Sequence, residues 1–164
     1  MPSFPASRLA GIAPFHVMEL LARAKALEAE GRDIIHMEVG EPDFPTPEPI
    51  IAAAQAHIAT GRVFYTSALG LPELRSAIAG YYETRYGLTV STSRIVVTAG
   101  ASGALLLALA CLAEPGSEWL LTDPGYPCNN NFVRSFEGVP VCIPVHAENN
   151  FQPTLSDLEQ HWNE

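Results

Sequence analysis

Two stretches of this sequence hold residue types suited to chemistry. In the first, Val97-Thr98-Ala99-Gly100-Ala101-Ser102-Gly103, an apolar segment runs into small residues and then into an apolar helix-like run, Ala104 to Ala113. Free amides at a helix start, with the positive end of the helix dipole behind them, attract an anion, and small side chains let a phosphate reach the backbone. Ser102 adds a hydroxyl. A close helix-strand turn asks for glycine equally, so the segment alone leaves both readings open. Neither the Walker pattern with its lysine nor G-x-G-x-x-G occurs here, which leaves a P-loop and a standard dinucleotide site unsupported. In the second stretch, Leu121-Thr122-Asp123-Pro124-Gly125-Tyr126-Pro127, two prolines and a glycine hold one aromatic residue. Stacking on a heteroaromatic ring there gains roughly 0.5 to 1.5 kcal/mol beyond area burial, whereas a tight turn with Tyr126 on the surface is the plain structural alternative.

The elements that must position these residues follow from periodicity. Val17, Leu20, Leu21, Ala24 and Leu27 mark a helical face between Pro14 and Glu30, with Gly31 as its stop. Ile34 to Val39 reads as a short strand, and the proline-rich Gly40 to Pro47 as a loop. Thr46 and Pro47 predict an N-cap and first position for a helix ending at Gly61. A second loop, Arg62 to Gly70, leads to Pro72 and a helix whose predicted buried face is Leu74, Ala77, Ile78, Tyr81 and Tyr82, stopping at Gly87. Strand and helix then alternate: Ile95 to Val97, Ala104 to Ala113, Trp119 to Leu121, Cys128 to Phe136, Val139 to Ile143, and a last helix from Thr154 to Trp162 opened by Thr154 or Ser156. Such alternation predicts an α/β fold, a three-layer α/β/α arrangement on a mostly parallel sheet. Ligands of such sheets bind beyond the carboxyl ends of the strands, where both chemical stretches fall.

Composition narrows the partners. With 164 residues, 48% hydrophobic and 16% charged, the chain is expected to be globular rather than disordered. A net charge of −9 argues against nucleic acid, whose binding needs clustered Lys and Arg. No apolar run reaches the roughly 20 residues of a membrane span, and the N-terminus lacks a secretory pattern. Cys111, Cys128 and Cys142 lack C-x-x-C spacing, which fits reduced thiols and a cytoplasmic location. The histidines, at 16, 36, 57, 146 and 161, stand far apart, so no metal site is expected.

Four motifs in order then converge on a family. Gly40-Glu41-Pro42-Asp43-Phe44-Pro45-Thr46-Pro47, Tyr65-Thr66 with Gly70-Leu71-Pro72-Glu73-Leu74-Arg75, Thr98 to Ala104, and Asp123-Pro124-Gly125-Tyr126-Pro127 resemble the class I and II pyridoxal-phosphate-dependent aminotransferases of fold type I. The resemblance implies pyridoxal 5'-phosphate as cofactor and an amino acid with a 2-oxo acid as substrates. It implies that Gly100, Ala101 and Ser102 bind the cofactor phosphate, that Tyr126 stacks on its ring, and that Gly40 meets the substrate carboxylate through its backbone. Tyr65 would reach the phosphate of a neighbouring subunit, making a homodimer with a shared site, and the arm before Pro14 would lie across that partner. Glu41 and Asp43 would shape the loop rather than form the carboxylate pair of a glycosidase. By the same likeness, residues 1–45 form an arm, helix and substrate-side loop, and 46–164 the front of a large cofactor-binding domain.

One departure stands out. Family members link the cofactor to a lysine, which also carries the proton of the reaction, yet the sequence contains a single lysine, Lys25, among ordinary residues of the first helix. The expectation is therefore an N-terminal portion of such an enzyme, inactive by itself, prone to associate through uncovered apolar faces, with the linking lysine beyond Glu164. A lyase of the same fold, or a non-catalytic phosphate-binding or dimerisation module, would share the motifs. Mixing the chain with pyridoxal phosphate and then borohydride is expected to leave Lys25 unmodified in a peptide mass map; a reduced adduct on Lys25 would give this lysine the role withheld from it.

Overall fold

The computed structural model describes residues 5–12 and 14–163. The start of the N-terminal arm, Met1 to Phe4, lies outside them, as does Glu164. The chain divides into two compact units, Met1–Glu38 with Ser102–Glu164, and Val39–Ala101.

The first unit contains the sheet. Glu118–Asp123 (β1) and Val139–Pro144 (β2) pair in parallel, with Glu118 opposite Val139 and Asp123 opposite Pro144. Parallel neighbours need a crossover. The helix Pro127–Ser135 (here α5, after α1 to α4 given below) supplies it and packs on both strands. The buried apolar residues are Leu109, Val133, Ile143 and Val145 among those described: one from the preceding helix, one from the crossover, two from β2 and its end. Gly138 closes the return tightly, since a Cβ there would stand 2.9 Å from Val133 Cγ1. The chain enters this unit through a 3-10 turn, Ser7–Gly11, which packs on α5, and through α1, His16–Ala29. Val17, Leu21, Ala24 and Leu27 of the anticipated face of α1 are half-buried, while Leu20 is exposed.

The second unit holds α2, Glu48–Ala59, and α3, Pro72–Tyr86. Thr46 is not the cap of α2: the helix starts one position later, with Pro47 at the N-cap and no side-chain bond to the first turn. α3 ends as expected on Gly87, whose φ of +66 is the left-handed region glycine favours. Of its anticipated buried face, Leu74, Ala77, Tyr81 and Tyr82 are exposed and Ile78 alone is half-buried. The aromatic rings instead cluster among themselves, Tyr82 and Tyr86 at 5.6 Å and Tyr81 and Tyr82 at 6.2 Å. Arg75 ties α3 to the following 3-10 turn, Thr92–Arg94, donating from Nε to Ile95 O at 3.0 Å and from both Nε and Nη2 to Thr92 O.

Two expected strands are absent. Ile34–Val39 and Ile95–Val97 are in no ladder, because a strand exists only by pairing and neither segment has a neighbour to pair with along its length. The one bond of that kind runs from Val97 N to Leu69 O, 3.0 Å, beside Gly70, which has φ +98 and no room for a Cβ against Val97 Cγ2 at 2.6 Å. The observed class is α/β with a two-stranded parallel sheet among the described residues.

The last helix, Leu155–His161 (α6), shows how a local sequence sets a boundary. Thr154, not Ser156, is its cap: Asp157 N donates to Thr154 Oγ1, and the Asp157 carboxylate accepts from Thr154 N at 2.8 Å and from Thr154 Oγ1 at 2.7 Å. These bonds hold the Asp157 carboxyl below the ordinary aspartate range, the Thr154 backbone contributing first and its hydroxyl next. A depressed pKa stabilises the fold above the unfolded aspartate value, and that contribution disappears as pH falls through the folded value. Thr154→Ala is expected to cost about 1 kcal/mol in denaturant unfolding at neutral pH. Repeated in acid, the same measurement should find a smaller gap between variant and parent.

Candidate active site

Helix α4 spans Gly100–Leu112, so it begins earlier than the apolar run Ala104 to Ala113 suggested. Gly100, Ala101 and Ser102 are its first turn rather than a loop in front of it. Gly100 has φ +74, a conformation that costs other residues strain, and a Cβ there would meet nothing within 4 Å. Its amide turns back to Thr98 O at 2.9 Å, and the Thr98 hydroxyl donates to Gly100 O at 2.9 Å. That leaves the next amides, of Ala101 and Ser102, at the point where a helix lacks internal acceptors. All three residues are exposed. The space, the free donors and the dipole together fit a phosphate monoester, the group by which pyridoxal phosphate is held.

Tyr126 sits just past the carboxyl end of β1. Asp123-Pro124 is a cis peptide, and Gly125 follows at a place where only hydrogen fits: a Cβ would lie 2.3 Å from Thr122 O and 3.0 Å from its Oγ1. After this close approach of Gly125 to Thr122, Tyr126 is the N-cap of α5, with Pro127 in the first turn. Its ring is about half exposed. Phe15, at the N-cap of α1, meets that ring edge-on, centroids 6.3 Å apart and planes at 74°. The Tyr126 hydroxyl is held above its ordinary pKa, first by its hydrogen bond with the Cys128 side chain and then by the electrostatic interaction with that same side chain. A cleft of about 350 Å³ opens beside this pair, lined by Phe15, Pro127, Asn130, Arg134 and Cys142 among others. Sequence reasoning missed Phe15 and Cys128. No local signal announces Phe15, whose contact with Tyr126 spans more than a hundred positions.

The other expected residues contribute singly. Gly40 lies in irregular chain with open space about its Cα, and Tyr65 is wholly exposed. Glu41 and Asp43 are exposed in the segment that follows Gly40. Ser102 and Tyr126 belong to one unit; Gly40, Tyr65, Gly100 and Ala101 belong to the other. Lys25 is exposed on α1. Among the described residues no three His, Cys, Asp or Glu side chains gather as metal ligands, and no helix is long and apolar enough to cross a membrane.

Comparison with known proteins now gives this arrangement a family. Residues 32–164 match the model of aminotransferase class I and II, and the chain belongs to that family. It is 38% identical over 150 residues to a (5-formylfuran-3-yl)methyl phosphate transaminase of Methanocaldococcus jannaschii, covering 92% of this chain and 40% of that protein. It is 37% identical to a valine–pyruvate aminotransferase of Mycobacterium tuberculosis, covering 92% of this chain and 39% of the other. A crystal structure of an aminotransferase from Mycobacterium tuberculosis superposes with a TM-score of 0.90 at 37% identity, over 96% of this chain and 41% of that one. The aspartate aminotransferase of Thermus thermophilus solved with maleate gives 0.91 at 29% identity, over 98% of this chain and 42% of that one. The chain thus spans about 40% of the length of the curated relatives it matches.

The turn before Tyr126 is directly testable. Gly125→Ala must displace backbone, since the obstructing atom is a carbonyl oxygen, and is expected to destabilise the chain by about 1–3 kcal/mol. Near-ultraviolet circular dichroism should lose intensity in the aromatic band as the Phe15–Tyr126 contact is disturbed, with helix content retained.

Proposed function

We propose that this chain supplies the phosphate-holding and ring-stacking part of a pyridoxal-phosphate-dependent aminotransferase, which moves an amino group between an amino acid and a 2-oxo acid. The observation that carries the reading is the first turn of α4: Gly100 in a left-handed conformation with open space at its Cα, followed by the exposed backbone of Ala101 and Ser102. Family membership and relatives named as transaminases support it. When bound, the cofactor supplies an electron sink for the bonds at the amino acid's α-carbon. The chain's own residues bind and orient. Ala101 and Ser102 amides and the Ser102 hydroxyl donate to the phosphate; the Tyr126 face holds the ring, with Phe15 in T-shaped contact beside it. Gly40 offers backbone to the substrate carboxylate, and Tyr65 donates its hydroxyl to the phosphate of a second copy in a homodimer. The division at residue 45, between a substrate-side segment and the cofactor-binding front, and a cytoplasmic location belong to the same reading. Lys25 has no role in it.

Hydrogen bonds to a charged group contribute about 1.5–3 kcal/mol, so Ser102→Ala is expected to weaken pyridoxal phosphate binding by at least about tenfold in a fluorescence titration of the purified chain. Pyridoxal, which lacks the phosphate, serves as the control and should bind both forms alike. Equal affinity of parent and variant for pyridoxal phosphate would remove Ser102 from the phosphate site.

A further inference from the structure

His36 stands between two carboxylates. Its Nε2 lies 2.9 Å from Glu28 Oε1, on the last turns of α1, and its Nδ1 lies 2.6 Å from Glu38 Oε1, two residues along its own segment. A carboxylate only accepts, and a neutral imidazole carries one N–H, so both contacts are satisfied together only by the doubly protonated ring. Glu38 is the better shielded partner: its side chain is 12% exposed against 43% for Glu28, and its second oxygen accepts from Met37 N at 2.9 Å. Among the described residues, the charged groups bonded to the ring are Glu28 from α1 and Glu38 from the same segment.

The position of this triad matters because Glu38 is the last residue of the first unit's opening segment and Val39 begins the second unit. The segment 32–38 forms no ladder, so its hold on α1 rests on side chains and on the helix-terminal bond from Arg32 N to Leu27 O. We propose that His36 is a proton-controlled latch: while protonated it ties the segment that leads to Gly40 onto α1 through Glu28, and on losing a proton it keeps Glu38 and lets Glu28 go. The shorter contact and the deeper shielding of Glu38 decide which bond survives. The two partners raise the pKa of His36, the Glu38 hydrogen bond most and the Glu28 hydrogen bond next. With a raised pKa, the latch is fully present below the ordinary histidine value of about 6.5 and is lost as pH rises through the folded-state value. The inference does not depend on the proposed activity.

Two readouts on the whole chain test it, a proton NMR titration of the His36 ring and hydrogen exchange at the Met37 amide, which donates to Glu38 Oε2, corrected for intrinsic pH dependence. The parent should titrate above 6.5, and protection of that amide should fall several-fold across the same midpoint. Glu28→Gln should lower the midpoint and leave that amide weakly protected at every pH, while His36→Gln should abolish the pH dependence. A parent midpoint at or below the ordinary value, or exchange at this amide that ignores the His36 titration, overturns the latch.

Discussion

The hydrogen-bonded ladder between β1 and β2 is the constraint on which the ordered part of the first unit depends. Because the strands run parallel, the chain must leave β1, cross over one face and return, and α5 is the crossover. The buried residues mark the result: Val133 from α5, Ile143 from β2 and Val145 just past its end, with Leu109 from α4. The Gly125 turn follows from the same demand, since the chain has to clear the end of β1 before α5 can begin. Tyr126 thus owes its place to main-chain hydrogen bonding several residues away.

The alternating half of the fold was legible in the sequence because its signals are local and strong. Apolar runs at 119–121 and 139–143 gave strands within a few residues of those observed, and the glycines and a proline bounded the helices at Gly61, Pro72 and Gly87. What misled was burial. An apolar stripe on a helix predicts a face that wants cover, and on α3 most of that face is exposed, Tyr81 and Tyr82 included, with only Ile78 half-buried. Likewise Ile95–Val97 has the composition of a buried strand yet no partner strand along its length. Propensity states what a segment will accept; pairing and packing need a second surface, which a single segment does not encode.

The candidate site divides along the same line. Gly100 to Ser102 and Gly125-Tyr126 were recognisable because their residue types are dictated by backbone geometry, a positive φ in one case and a 2.3 Å obstruction in the other. Phe15, Cys128 and the Glu28–His36–Glu38 cluster were not, because each is defined by one side chain meeting another, which residue type alone does not announce. Phe15 and His36 lie in the segment before residue 40, where sequence reading had found only an arm, a helix and a strand.

The two prolines of β2 settle a matter of growth. Val139 N donates to Ser117 O at 2.8 Å and Val145 N to Asp123 O at 2.8 Å, so odd-numbered amides of β2 point at β1 and even-numbered positions face the other way. Those outward positions are Pro140, Cys142 and Pro144, of which two have no N–H to offer. The far side of β2 is therefore a poor template for any further strand, whereas the free side of β1 carries no proline between Glu118 and Asp123. Any enlargement of this sheet has a direction: it proceeds outward from β1, with β2 as its natural margin.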